Sequence, residues 1–175
     1  MPIPIAIFGS FAYALSTYLL IILQVGHNTK AQAIAYMPIV IGGLYMILNN
    51  KRLLGFILTV FSLSMQIRAN HYQMTYYMLI LMMIIFIFYG IKSFKDQSFK
   101  LFAKNSIVLI FSGLIALGFN APPLLATSEY SKFSTRGETE LKFNSDGTTK
   151  ESTGGLSKDY ITQFSYGIFE SLNLI

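Results

Sequence analysis

The sequence predicts an all-α protein: a polytopic transmembrane helix bundle of about five spans, followed by an external polar loop and an amphipathic helix. Three observations predict it. Apolar residues make up 53% of the 175-residue chain and charged residues 12%, about half the usual charged fraction of roughly 25%. With a mean hydropathy of +0.53, there is too little polar side chain to cover a water-facing surface of this size. The charge is also divided along the chain. Residues 1–126 hold eight basic side chains and one acid, Asp96, whereas residues 127–175 hold five basic and seven acidic ones. Finally, the first part contains uncharged runs close to the roughly 20 residues needed to cross a hydrocarbon core of about 30 Å. A soluble globular enzyme is excluded. The absence of Cys excludes disulfides, thiolate metal sites and Cys nucleophiles together.

The spans are expected at about 5–23, 31–48, 53–72, 74–91 and 105–126. The first lacks a basic leader and a clean small-residue cleavage site, so it reads as a span rather than a signal peptide. The second contains Pro38 and the pair Gly42-Gly43. Such breakers are tolerated in membranes because neighbouring groups re-satisfy the backbone, with a kink expected near Pro38. The third has an apolar run of only fifteen residues, 53–67, and needs polar residues from one flank to span. The fifth is expected to end at the helix-stopping pair Pro122-Pro123. Gly42-Gly43 with Gly113 and Gly118 suggest close helix approach, and Met78, Met82 and Met83 read as lipid-facing or as filling within the bundle.

Sidedness follows from the basic residues. Connections 49–52 and 92–104 carry Lys51, Arg52, Lys92, Lys95, Lys100 and Lys104, whereas 24–30 and 68–73 carry only Lys30 and Arg68. An excess of Lys and Arg marks the cytoplasmic side. The two poorer connections and the tail after residue 126 are therefore expected to share the extracytoplasmic face. That face also concentrates polar chemistry: Gln24-Val25-Gly26-His27-Asn28-Thr29-Lys30 in one connection and Arg68-Ala69-Asn70-His71-Tyr72-Gln73 in the other. Two readings fit. In one, His27, Lys30, Arg68 and His71 form a cationic cup for an anion such as a lipid-borne phosphate or pyrophosphate. Asn28, Asn70 and Gln73 then add hydrogen bonds, since every group in the set can donate. In the other, they are interfacial anchors and helix caps, with Lys30 and Arg68 reaching toward headgroups and Tyr72, Tyr76 and Tyr77 forming an aromatic belt. Two His without a spaced carboxylate or third ligand do not make a metal site, and no cofactor is expected.

The tail is read as a polar loop over 127–157 and an amphipathic helix over 158–175. Within the loop, Thr139-Glu140-Leu141-Lys142-Phe143 alternates like a short strand before the turn Asn144-Ser145-Asp146-Gly147. Ser157 can cap the helix, and Tyr160, Ile161, Phe164, Ile168 and Leu172 recur at helical spacing. Both chain ends look cut, which predicts a piece of a larger polypeptide.

Residues 23–36, with Gly26-His27-Asn28, Lys30 and Tyr36, resemble the Gly-His-Asn-x-Lys-x-x-x-x-x-Tyr stretch of the bacterial YfhO-type integral membrane proteins. Ala69-Asn70-His71-Tyr72-Gln73-Met74-Thr75-Tyr76-Tyr77 resembles that family's next outer loop. Glu129-Tyr130 with Thr135-Arg136-Gly137, and Gly155-Leu156 through Asp159-Tyr160 with Ser165-Tyr166-Gly167, resemble the external segment after it. The resemblance covers essentially the whole chain. It implies an internal piece of a larger protein of the bacterial plasma membrane, similar to the GT-C class of glycosyltransferases, which use polyprenyl-phosphate sugar donors at the outer face. The catalytic acid of that class generally lies in a first large outer loop that nothing here matches, so the resemblance implies an inactive fragment. It also favours the cup, with His27, Asn28, Lys30, Asn70, His71, Gln73 and Arg136 as substrate-binding residues. Lys30 and Arg136 would then neutralise phosphate charge, a preorganised arrangement that stabilises a leaving phosphate.

The partners expected are membrane lipid, a lipid-linked sugar donor and the remainder of the parent polypeptide. Nucleic acid is not expected, because topology accounts for the positive charge. A transporter or lipid-flipping protein, or a non-catalytic scaffold, are the competing readings. Transport is disfavoured because the helix middles show little polarity and no internal repeat is found.

Overall fold

A computed structural model of the chain describes residues 2–131 and Thr162. Arg136, the short strand, the polar loop after Ser131 and the amphipathic helix expected at 158–175 lie outside the described residues, Thr162 apart. Within them are seven helices and no strand: α1 (Ile3–Ala14), α2 (Thr17–Gln24), α3 (Asn28–Leu48), α4 (Arg52–Arg68), α5 (Tyr72–Lys95), α6 (Phe99–Phe119) and α7 (Ala121–Ser131). This is an all-α polytopic bundle. Four stretches are long and apolar enough to cross a membrane: Ile3–Gln24, Asn28–Leu48, Tyr72–Lys95 and Phe99–Phe119. They carry large apolar side chains on their outsides, among them Phe8, Ile84, Phe88, Ile107 and Phe111, each more than half exposed. That pattern suits a lipid solvent.

The first stretch is broken between α1 and α2, where Ser16 adopts extended backbone. α1 buries nothing, and its Tyr13 hydroxyl donates to the Ile34 carbonyl on α3 at 2.7 Å. Pro38 lies inside α3 and has no N–H to give to the carbonyl four residues back. That carbonyl is Ile34, so the tyrosine supplies the missing donor.

The bundle is organised on the α3–α4 pair. Gly43 lies directly against Thr59, and a Cβ on Gly43 would come within 2.9 Å of the Thr59 backbone nitrogen. A Cβ on Gly55 would lie 2.8 Å from Ile47 N and 2.9 Å from Gly43 O. Between membrane helices there is no hydrophobic drive, so close approach through small residues gives the dispersion and weak hydrogen bonds that hold the pair. Of the glycines expected at helix contacts, Gly43 fits. Gly42, Gly113 and Gly118 have open space around them, and Gly55 carries the contact instead. Val40, Leu44, Leu48, Leu63, Met78, Met82 and Ala116 fill the core beside this crossing. Met78 and Met82 are thus inside, and Met83 is outside.

α4 spans Arg52–Arg68 and does not run to residue 72. Its 17 residues make about 25 Å at 1.5 Å per residue, shorter than a hydrocarbon core of about 30 Å. It stops because Asn70 turns the backbone left-handed at φ 54°. Its inward face is small and polar: Gly55, Thr59, Ser62 and Gln66, with Leu63.

α6 is pinned at both ends by asparagine. Asn105 donates to the Leu48 carbonyl and to Asn50 Oδ1, and accepts from Arg52 Nε at 2.7 Å. Fifteen residues on, Asn120 donates to the carbonyls of Ser64 and Ala116. The last span thus occupies Phe99–Phe119, not 105–126. Pro122-Pro123 do not stop it. They open α7, in a first turn whose N–H groups have no helical partner anyway. The chain clusters into two compact units that divide after Ala121. Within the second, α7 is tied locally by Thr127 Oγ1 donating to Pro123 O.

Candidate functional site

The connections close with left-handed residues that end helices: Gly26, Asn50, Asn70 and Gln97. At Gly26 the φ of 85° suits glycine, which has no Cβ to clash. The chain then reverses through His27, whose N–H donates to Ile22 O at 2.9 Å. His27 and His71 are the N-cap residues of α3 and α5, and neither side chain makes a capping hydrogen bond.

These two turns lie at one end of the bundle. α3 and α4 pack antiparallel, so the start of α3 and the end of α4 coincide. The Asn120–Ser64 bond brings the end of α6 to the same level. His27, Asn28, Lys30, Asn70, His71 and Gln73 therefore share an end, and Asn120 marks where the chain leaves it. Arg136 lies outside the described residues.

Sharing an end is not the same as converging. His27, Asn28, Asn70 and Gln73 are exposed, and Lys30 and His71 are half-buried. No hydrogen bond joins one of the six to another. Lys30 Nζ sits 5.2 Å from the Tyr18 ring centroid, a cation–π distance. Gln73 Nε2 donates to Tyr77 Oη one turn along α5. What this end does offer is unused hydrogen-bonding capacity. His71 Nδ1, Ser64 Oγ and both amide atoms of Gln66 are buried without a partner, and Gln66 is fully buried. Buried polar groups are nearly always paired, so each such exception calls for an explanation.

Gln66 was not singled out in the sequence because it sits inside an apolar run. Its signal was there: an amide in a membrane helix, four residues from Ser62 and seven from Thr59, hence on one face.

The opposite end is polar too, which the sequence presented only as plain lysine loops. There Asn105 and Asn50, both hydrogen-bonded to Arg52, line a cavity of about 190 Å³, and Asn49 Nδ2 donates to Tyr89 Oη at 2.9 Å. The cavity is also lined by Lys92, Ser93 and Asp96. Asn105, an amide only 2% exposed in a membrane helix, is the sequence signal for this end. Among the described residues no cluster of His, Asp or Glu could hold a metal ion.

The chain matches no family model, no curated protein and no solved structure.

Proposed function

We propose that the chain is the membrane-embedded part of a bacterial polytopic protein of the YfhO type. In this reading the end bearing His27 and His71 faces the extracytoplasmic side of the plasma membrane and handles a polyprenyl-phosphate-linked sugar, as in GT-C glycosyltransferases. The observation that carries the reading is the gathering of unpaired buried groups at the end of the bundle that bears the resembling loops: His71 Nδ1, with Ser64 Oγ and the Gln66 amide from the last turns of α4. A phosphate or sugar hydroxyl supplies the acceptors and donors those groups lack. Lys30 and Arg136 would bring charge, and His27, Asn28, Asn70 and Gln73 would add orienting hydrogen bonds. The fully buried polar stripe Thr59, Ser62 and Gln66 favours a second reading. Polarity inside a bundle is what a lipid-flipping protein or transporter uses.

The test is binding of a polyprenyl phosphate, with and without its sugar, to the purified full-length protein and to Lys30→Ala and His71→Ala. Glycosyl-donor handling predicts that both variants weaken the sugar-bearing lipid about tenfold or more, the loss expected for one charge-assisted hydrogen bond. Unchanged binding in both returns these residues to capping and anchoring.

A further inference from the structure

The cavity at the lysine-rich end belongs to neither reading above. It lies between the α3–α4 turn, the end of α5 and the start of α6, and at about 190 Å³ it is smaller than the roughly 300–1,000 Å³ of a drug-sized pocket. It fits a headgroup, not a whole lipid. We propose that it binds the headgroup of phosphatidylethanolamine, with the phosphate on Lys92 and the ammonium on Asp96.

Three features point there. Lys92, in the last turn of α5, and Asp96, its C-cap, both line the cavity and stand four residues apart, the spacing at which a cation and a carboxylate usually pair. They form no ion pair or side-chain hydrogen bond with each other or with any described neighbour. Each therefore keeps a full charge for a ligand. Second, Asp96 is the one acid in residues 1–126, so an end whose connections also carry Lys51, Lys95, Lys100 and Lys104 still offers a negative group to the cavity. A purely anionic headgroup would leave that carboxylate facing a phosphate. A zwitterion satisfies both. Third, part of the lining is apolar: Leu101, 41% exposed, and Phe102 line the cavity beside its polar groups. Acyl chains leaving the headgroup would lie on that side. Asn105 does not need the ligand, because its amide is already occupied by Leu48, Asn50 and Arg52, and it holds the wall rigid.

Selectivity follows from donor chemistry. Ethanolamine has N–H donors for a carboxylate, choline has charge without donors, and glycerol has no cation. The experiment exposes the purified, delipidated full chain to an equimolar mixture of phosphatidylethanolamine, phosphatidylglycerol and phosphatidylcholine. Retained lipid is counted by native mass spectrometry. The expected result is retention of one phosphatidylethanolamine about tenfold over either competitor. Asp96→Asn should erase the preference over phosphatidylglycerol, and Lys92→Gln should lower retention of both. Equal retention of the three lipids, or a preference that survives Asp96→Asn, would each overturn the proposal. Asp96 is exposed, so its replacement leaves the fold intact, and Lys92→Gln gives an independent reading.

Discussion

The Tyr13 hydroxyl on α1 donates at 2.7 Å to the Ile34 carbonyl on α3, the acceptor that Pro38 leaves open within its own helix. A proline in a spanning helix and a tyrosine twenty-five residues earlier are thus one structural device. In hydrocarbon no water is present to solvate a bare carbonyl, so the pairing anchors a helix that buries no side chain of its own. Tyr13→Phe should destabilise the chain by about 0.5–1.5 kcal/mol, the net value of one such bond. The decisive measurement is a double-mutant cycle with Pro38→Ala in detergent unfolding. Alanine restores the N–H that bonds Ile34, so Tyr13→Phe should become nearly silent in that background.

Gly43 and Gly55 should be the least replaceable glycines. A methyl on either meets backbone atoms of the partner helix at 2.8–2.9 Å, and backbone cannot swing aside as a flexible side chain does. Gly43→Ala or Gly55→Ala should each cost about 1–3 kcal/mol through overpacking. Gly42→Ala and Gly113→Ala, with nothing within 4 Å, should be neutral or slightly stabilising, since alanine is the better helix former. Thermal unfolding of the four variants in one detergent checks the contrast.

The two asparagine clamps on α6 should act independently. Asn105→Ala takes the acceptor from Arg52 Nε and the Asn105 donor from the Leu48 carbonyl and Asn50 Oδ1, leaving the guanidinium only its 3.5 Å bond to Asn50. About 2–3 kcal/mol is expected for losing a buried bond to a charged group. Asn120→Ala should cost less, about 1–2 kcal/mol, because both of its bonds are to neutral carbonyls. The two lie some 22 Å apart along the helix, so their effects should add. A double variant less destabilised than the sum would show that α6 moves as one rigid element.

Bundle architecture was legible in the chain because lipid imposes it: length, apolarity and breaks at Gly26, Asn50 and Asn70 are all local. Helix limits were less so. Pro122-Pro123 read as a stop, yet proline is equally at home in a first turn, and the break falls on Asn120, whose amide is engaged with Ser64. Which glycine touches which helix was not legible, because contact depends on the phase of two helices. Gly42 and Gly43 look alike in sequence and point 100° apart. The polar interior was hidden for another reason. Gln66 and Asn105 sit in runs whose mean hydropathy stays high, and averaging removes the single residue that matters. His27 and His71 drew attention by their chemistry, and the fold does set them at one end. Among the described residues the mutual contacts of a closed cup are not part of it.

Sidedness has a direct check in a chain with no Cys. Single cysteines introduced for His27 and Asn70 should react with an impermeant maleimide from one side of the membrane. Cysteines for Lys51 and Gln97 should react from the other. Labelling of 27 and 70 only after the membrane is opened would invert the orientation inferred from the lysine loops, while leaving the bundle as described.

Gln66 offers the sharpest separation of architecture from function. Its amide is fully buried with neither atom paired, and leaving such groups unpaired costs about 1–3 kcal/mol. Methionine has nearly the same length and no strong hydrogen-bonding atoms. Gln66→Met should therefore raise stability by an amount in that range, measured as a higher unfolding midpoint in detergent. No contact among the described residues favours keeping the amide, and the binding proposed for this end would give it a use. The same variant should weaken the polyprenyl-phosphate interaction proposed for this end. Higher stability with undiminished binding would detach Gln66 from that site. Lower stability would mean that the amide is satisfied within the bundle and belongs to its packing.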